Sequence, residues 1–212
     1  MAGIIFDLDG TLIDSIADIG AAANRVLGAR GLPNHSTADY RTMLGHGVRV
    51  LLRKALPDGY FELDEVVNEF RADYWDHLLV DTEPFPGIRE LLAELGAAGH
   101  RLAVLSNKPH RFTARIGEAM FADSGFVEFW GHKDEYAKKP DPTSANELRA
   151  RLGTEPGATY FIGDSAVDID TGKAAGMHPI GVSWGYQPVE LLRQSDAEVV
   201  LETPADLLSV VR

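Results

Sequence analysis

The hydrophobic and polar positions along the chain follow different patterns in two regions. From about residue 14 to about residue 79, apolar residues recur every three to four positions, which predicts a series of amphipathic helices. After Pro86, short apolar runs typical of buried strands alternate with helical patterns. Such alternation is typical of a mostly parallel sheet with helices on both faces. A further apolar run, residues 4–6, precedes the helical region and predicts the first strand of that sheet.

The helical region therefore interrupts an α/β core directly after its first strand. We predict a core domain of residues 1–14 and 84–212, folded as a doubly wound, mostly parallel, Rossmann-like sheet. Residues 15–83 are predicted to form an inserted helical domain. Pro84 and Pro86 disfavour helix continuation, so they mark the segment in which the chain returns to the core.

The same pattern gives approximate bounds for the elements. In the insertion, Ser36 is placed to cap the second of four helices, predicted over residues 17–27, 36–44, 48–56 and 63–79. In the core, further strands are predicted at residues 102–105, 126–130, 159–162, 179–182 and 197–201. Core helices are predicted at residues 88–98, 112–120, 143–152, 167–175 and 205–211.

Polar side chains follow several of the predicted core strands. They are Asp7 and Asp9, Ser106-Asn107-Lys108, Lys138-Lys139-Pro140-Asp141-Pro142, and Gly163-Asp164-Ser165 with Asp168. Because open α/β sheets bind ligands beyond the carboxyl ends of their strands, we expect these groups to meet at one edge. Carboxylates suit a hard cation, and a lysine, a hydroxyl and an amide suit a phosphate. The set predicts a Mg²⁺-assisted phosphoryl-transfer site.

Each of these groups also has a purely structural explanation when it is taken alone. Ser106-Asn107 could cap the next helix, and Lys139 could be a solvated surface lysine. Asp164 could cap a helix, and Asp168 could be an ordinary acidic residue in its first turn. The placement of all of them at strand ends favours a common chemical site.

The longest motif is Phe6-Asp7-Leu8-Asp9-Gly10-Thr11-Leu12-x-Asp14-Ser15, and it resembles the first motif of the haloacid-dehalogenase-like phosphohydrolases. The remaining superfamily motifs match at Ser106-Asn107, Lys139-Pro140 and Gly163-Asp164-Ser165-x-x-Asp168. The resemblance extends over the whole chain and implies a helical cap at residues 15–83. It is strongest to phosphoglycolate phosphatases, although pyrophosphatases and sugar-phosphate phosphatases share nearly all of these strings.

The resemblance implies a Mg²⁺-dependent phosphatase that works through an aspartyl-phosphate intermediate. Asp7 would be the nucleophile, and Asp9 would protonate the leaving oxygen and then take a proton from water. Asp7, the backbone carbonyl of Asp9 and Asp164 would hold the Mg²⁺, with Asp168 supporting them. The residues assigned to the transferring phosphoryl oxygens are Gly10, Thr11, Ser106, Asn107 and Lys139.

In the predicted cap, Gly45-His46-Gly47 separates two helices and begins the second of them. The N–H groups at a helix N-terminus can bind an anion such as a carboxylate. His46 and Arg49 are therefore predicted contacts of the leaving group. A simple helix–helix turn is the alternative explanation for His46.

The overall charge and the absence of cysteine narrow the classes of partner. A formal net charge of −12 argues against nucleic acid and against an anionic membrane surface. No apolar run is long enough to span a membrane, and because the first strand lies so close to the start of the sequence we expect no signal peptide. The absence of cysteine excludes disulfides, thiolate metal sites and a cysteine nucleophile. We expect a cytoplasmic monomer or homodimer that acts on a small phosphorylated metabolite.

Two other functions are compatible with the motifs. A phosphomutase of the β-phosphoglucomutase kind would use the same pair of aspartates and return the phosphoryl group to the substrate. Such mutases typically carry an acidic residue directly before the metal-binding aspartate, where this chain has Gly163. A non-enzymatic binding module on the same scaffold is disfavoured, because every expected catalytic side chain is present.

Overall fold

The structure, a computed structural model, describes residues 1–44 and 47–211. Its contacts divide the chain into two compact units. The core unit comprises Met1–Ile13 and Pro84–Arg212, and the helical unit comprises Asp14–Glu83. The predicted role of the helical unit as a cap stays a prediction. No helix in the described ranges has both the length and the apolar character needed to cross a membrane.

The described residues form the following elements. The strands are β1 (Gly3–Phe6), β2 (Ile13–Asp14), β3 (Glu83–Pro84), β4 (Arg101–Pro109), β5 (Phe126–His132), β6 (Thr159–Gly163), β7 (His178–Val182) and β8 (Val199–Leu201). The helices are α1 (Ile16–Ala29), α2 (Thr37–Met43), α3 (Val48–Ala55), α4 (Leu63–His77), α5 (Ile88–Ala97), α6 (His110–Phe121), α7 (Thr143–Leu152), α8 (Ala166–Ala174), α9 (Val189–Gln194) and α10 (Leu207–Val210). Short 3₁₀ turns occur at Pro156–Ala158 and Pro204–Asp206.

The core unit is built on a six-stranded sheet of order β5-β4-β1-β6-β7-β8, and β2 and β3 form a separate two-stranded sheet. All neighbours in the large sheet are parallel, which confirms the predicted α/β fold class. At the centre, Ile5 of β1 lies between Ala103 of β4 and Phe161 of β6. Every residue of β1 is buried, as expected for a parallel strand covered on both faces. The end of β1 therefore lies at the middle of the sheet edge.

The helical unit contains α1 to α4. The predicted Ser36 cap is confirmed, because its hydroxyl accepts the N–H of Asp39 while the Asp39 carboxylate accepts the N–H of Ser36. A buried carboxylate, Asp18 of α1, accepts the backbone N–H groups of Val80 and Thr82 and the Thr82 hydroxyl, at 2.7–3.0 Å. These hydrogen bonds satisfy the buried charge and tie residues 80–82 to α1.

One strand and one helix of the core unit differ from the predicted elements. The strand predicted at residues 102–105 continues to Pro109, so Ser106-Asn107-Lys108 lies inside β4 rather than after it. The pairing of β4 with β5 shifts register between Ser106 and Pro109. A search for strict two-residue alternation therefore does not identify these residues as part of the strand. The helix α9 was not predicted, because its six residues are too short for a clear periodicity.

Candidate active site

The chain turns sharply at the end of β1 and places Asp7 at the sheet edge. The N–H of Asp7 still donates to the carbonyl of Ile162, at 2.8 Å, so the residue is held by the neighbouring strand β6. Gly10 follows with a φ of 85°, a conformation that favours glycine. A Cβ atom at position 10 would overlap the carboxylate of Asp164. Gly10 therefore allows the turn after β1 to approach the end of β6.

A buried lysine lies between two carboxylates at this edge. The ammonium of Lys139 is 2.9 Å from Asp7 Oδ1 and 2.6 Å from Asp168 Oδ1. The Lys139 side chain is only 3% exposed. Burial by itself lowers the pKa of Lys139, but the charges of Asp168 and Asp7 outweigh it and raise the pKa above its ordinary value. Lys139 is therefore a permanent cation beside Asp7.

Asp168 is fixed by the first turn of α8. Its Oδ2 accepts the N–H of Ser165 at 3.1 Å and the Ser165 hydroxyl at 2.6 Å, which forms a capping box. Gly163 makes this arrangement possible, because a Cβ atom at position 163 would overlap the Asp168 side chain. The predicted helix-capping role in this motif is thus filled by Ser165 and Asp168, which leaves Asp164 for another function.

Asp164 completes a cluster of three acidic side chains. Oxygen atoms of Asp7, Asp164 and Asp168 lie within 4.8 Å of one another. Burial, assisted by the neighbouring carboxylates, raises the pKa of Asp164 to about 8. Burial also raises the pKa of Asp7 to about 7, against the opposing effect of Lys139. The cluster brings three carboxyl groups close to one ammonium, and its oxygen donors are those that a hard cation prefers.

The Asp9 carboxylate pairs with a different lysine from the one that contacts the acidic cluster. Its Oδ1 is 2.8 Å from the ammonium of Lys108, and both side chains are largely buried. The sequence placed Lys108 near the predicted site but gave it no role. The carboxylate of Asp9 thus has a cationic partner of its own, separate from the Lys139 pair.

The predicted phosphate-binding residues have distinct surroundings. The side chain of Asn107 donates to the carbonyl of Lys139 at 3.2 Å and accepts its N–H at 2.9 Å. The hydroxyl of Ser106 accepts the N–H of Lys108 at 3.2 Å. The hydroxyl of Thr11 is buried and has no hydrogen-bond partner among the described residues. Asn107 therefore positions the Lys139 backbone, and the Thr11 hydroxyl is an unsatisfied group two residues after Asp9 in the chain.

The loop after β7 contains contacts that the sequence did not predict. The indole N–H of Trp184 donates to the carbonyl of Thr11 at 3.0 Å, and the N–H of Tyr186 donates to Asp164 Oδ2 at 2.7 Å. A Cβ atom at Gly185 would overlap both the carbonyl of Gly10 and the Asp164 side chain. The signal available in the sequence was a Trp-Gly-Tyr string that begins two residues after a buried strand.

The predicted leaving-group contacts belong to the helical unit. Gly45 and His46 lie outside the described residues. Arg49, on α3, is exposed and hydrogen-bonds to Asp64 of α4. The guanidinium of Arg53 donates to the carbonyl of Tyr60 at 3.0 Å. A substrate-binding role for His46 and Arg49 stays a prediction.

Comparison with known proteins agrees with this geometry. A family model described as haloacid dehalogenase-like hydrolase matches residues 4–182. The chain is 36% identical over 211 residues to a phosphoglycolate phosphatase of Aquifex aeolicus, covering 100% of this chain and 97% of the relative. It is 33% identical to a phosphoglycolate phosphatase of Haemophilus influenzae, with coverage of 97% and 96%. A solved structure of a predicted phosphoglycolate phosphatase from Haemophilus somnus aligns with a TM-score of 0.90 and 30% identity, covering 100% and 98%.

Proposed function

The chain belongs to the haloacid dehalogenase-like hydrolase family, and from that premise we propose that it is a Mg²⁺-dependent phosphatase of the phosphoglycolate phosphatase kind. The proposal rests on the surroundings of Asp7. One carboxylate lies at the end of the central strand, 2.9 Å from a buried ammonium and within an acidic cluster suited to a cation. The substrate would be a small phosphorylated metabolite.

Hydrolysis would proceed by two displacements at phosphorus. In the first, an oxygen of Asp7 attacks phosphorus, the ester P–O bond breaks, and an aspartyl phosphate forms. Asp9 donates a proton to the leaving oxygen. In the second, water attacks the phosphoryl group and Asp9 accepts a proton from it, which releases phosphate and restores Asp7. The ammonium of Lys139, held next to Asp7, supplies positive charge where the phosphoryl oxygens would lie.

The acidic cluster fits the Mg²⁺ that this chemistry requires. Its donors are carboxylate oxygens, and the described residues provide no softer ligand in that group. Asp7 and Asp164 would hold the ion together with the backbone carbonyl of Asp9. The oxygens of Asp168 are already bonded to Lys139 and Ser165, so Asp168 would support the site. Bound Mg²⁺ supplies the positive charge that reduces repulsion between the nucleophile and a phosphate dianion.

The packing around Gly163 disfavours the phosphomutase alternative. An acidic side chain at that position would overlap Asp168, which holds Lys139 through its Oδ1. The arrangement of this site therefore depends on a residue without a side chain at position 163. A mutase-type residue there would displace the network that positions Lys139.

The names of the relatives support phosphoglycolate as the substrate, and a substrate panel tests this. Phosphoglycolate, pyrophosphate, several sugar phosphates and an aryl phosphate would be compared by phosphate release with Mg²⁺ and with excess chelator. We expect the highest kcat/KM for phosphoglycolate and no turnover in chelator. A preference for a sugar phosphate or pyrophosphate would contradict the substrate, and full activity in chelator would contradict the metal. The cytoplasmic location and the monomeric or homodimeric state stay predictions from the sequence.

A further inference from the structure

Lys108 is a buried lysine for which the mechanism above has no role. Its side chain is 7% exposed, and its ammonium lies 2.8 Å from Oδ1 of Asp9. Lysine is rarely buried, because removing an ammonium from water costs several kcal/mol unless it is paired. The partner here is the side chain assigned to proton transfer. The pairing offsets the cost of burying the ammonium and lies at a chemically important carboxylate.

An irregularity in the sheet brings Lys108 to this position. Ser106 of β4 is in register with Gly131 of β5, whereas Pro109 is in register with His132. Three steps along β4 thus correspond to one step along β5, and Asn107 and Lys108 are the additional residues. Such bulges change the direction of side chains and are common next to active sites. We refer to Asn107 and Lys108 as the β4 bulge.

Contacts from neighbouring elements hold the β4 bulge in place. The Thr113 hydroxyl donates to the carbonyl of Lys108 at 3.3 Å, and the N–H of Lys108 donates to the Ser106 hydroxyl at 3.2 Å. A Cβ atom at Gly131 would lie 2.5 Å from the carbonyl of Lys108, so only glycine allows this packing. The backbone that carries the Lys108 side chain is therefore fixed from both sides.

We propose that Lys108 is a positioning residue that fixes the orientation of the Asp9 carboxylate for both proton transfers. The inference rests on the proposed phosphatase function. A hydrogen bond to Oδ1 restricts rotation of the carboxylate, so its other oxygen keeps one direction toward the leaving group and then toward water. In this role Lys108 acts through Asp9 rather than on the substrate. Both residues of the β4 bulge then contribute to the site. Lys108 orients Asp9, and Asn107 positions Lys139.

The first test separates positioning from substrate binding. Lys108→Met keeps the length of the side chain and removes its charge. We expect kcat to fall about 10- to 100-fold while KM changes less than about threefold, because the lost contact serves the reacting state. Lys108→Arg should recover part of kcat, since it restores a donor. The matched control is Lys173→Met, which removes an exposed lysine paired with Asp196 at 3.0 Å and should leave both constants unchanged.

The second test asks whether Lys108 acts through Asp9. In an Asp9→Asn background, Lys108→Met should lower kcat by less than about twofold, because the group it positions is already inactive. With a series of aryl phosphates, the effect of Lys108→Met in the native background should grow as the leaving phenol becomes less acidic. If Lys108→Met does not fold, the same cycle with Lys108→Gln, which also removes the charge, replaces it.

The outcomes distinguish this inference from the proposed function. Multiplicative losses in the double variant, or a loss expressed mainly in KM, would overturn the positioning role and indicate direct contact with the substrate. Equal losses of kcat/KM, which reports the first displacement, for all leaving groups would also overturn it. A wild-type protein that hydrolyses no phosphate ester would instead refute the proposed function.

Discussion

Replacing Lys139 by methionine should strongly destabilise the metal-free protein. The Lys139 ammonium lies 2.9 Å from Asp7 and 2.6 Å from Asp168, and the Asp168 side chain is 0% exposed. Methionine has a similar length but no charge, so it fits the space and leaves both carboxylates without their cation. Water cannot replace the ammonium at a carboxylate that is fully enclosed. The variant must therefore retain an uncompensated buried charge or take up protons.

The expected magnitude follows from the burial of the pair. Breaking a buried ion pair by removing one partner costs about 3–5 kcal/mol, several times the cost at an exposed pair. We expect a loss of about this size in the unfolding free energy of the metal-free protein near pH 8. The loss should shrink toward about pH 6, because burial already raises the pKa values of Asp7 and Asp164 to about 7 and about 8, so these groups become protonated.

Urea unfolding in excess chelator measures this loss directly. Lys139→Met, Asp168→Asn and the double variant form a cycle, and the double variant should be more stable than Lys139→Met because no lone charge remains at position 168. Lys173→Met, which breaks an exposed pair, is the matched control and should cost less than about 1 kcal/mol. A loss in Lys139→Met no larger than in this control would refute the reasoning.

Three further predictions concern the metal, the loop after β7 and the helical unit. In the folded protein Asp7 and Asp164 keep protons that the unfolded chain releases near the ordinary value of 3.8, so metal-free stability should fall as pH rises from about 4 to about 8. Mg²⁺ should therefore raise Tm more near pH 8 than near pH 6, and an equal rise at both would contradict this. Gly185→Ala should weaken Mg²⁺ binding measured by calorimetry, because its methyl group overlaps Asp164; unchanged affinity would show that the loop has no effect on the metal ligand. Arg49→Ala should raise KM for phosphoglycolate more than for a neutral aryl phosphate, and equal effects would assign Arg49 to its contact with Asp64.

The fold, and the residues that meet at the carboxyl edge of the sheet, could be predicted from the sequence because each depends on local patterns. Apolar runs without alternation identified the buried parallel strands. The sequence motifs directly after β1 and directly after β6 placed their carboxylates at one edge. The structure brings Asp7, Lys139, Asp164 and Asp168 together there.

The remaining contacts depend on features without a local signal. The Lys108–Asp9 pair requires the β4 bulge, and a bulge breaks the two-residue alternation from which strands are predicted. The Trp184–Thr11 hydrogen bond joins residues far apart in the sequence, so only the folded sheet brings them together. The close contact of Gly163 with the Asp168 side chain likewise arises from tertiary packing, which local sequence patterns do not report.

The covalent state of Asp7 during turnover tests the central claim most directly. Wild-type protein and the Asp9→Asn variant would be mixed with Mg²⁺ and the preferred substrate, quenched rapidly in acid, and the peptide containing Asp7 examined by mass spectrometry. We expect one added phosphoryl group on Asp7 in the wild-type protein, and a slower appearance of the same group in Asp9→Asn, because Asp9 assists both displacements. Asp7→Asn should retain the fold and show neither the adduct nor turnover. Steady turnover with no phosphoryl group on Asp7, or near-normal activity in Asp7→Asn, would contradict the account.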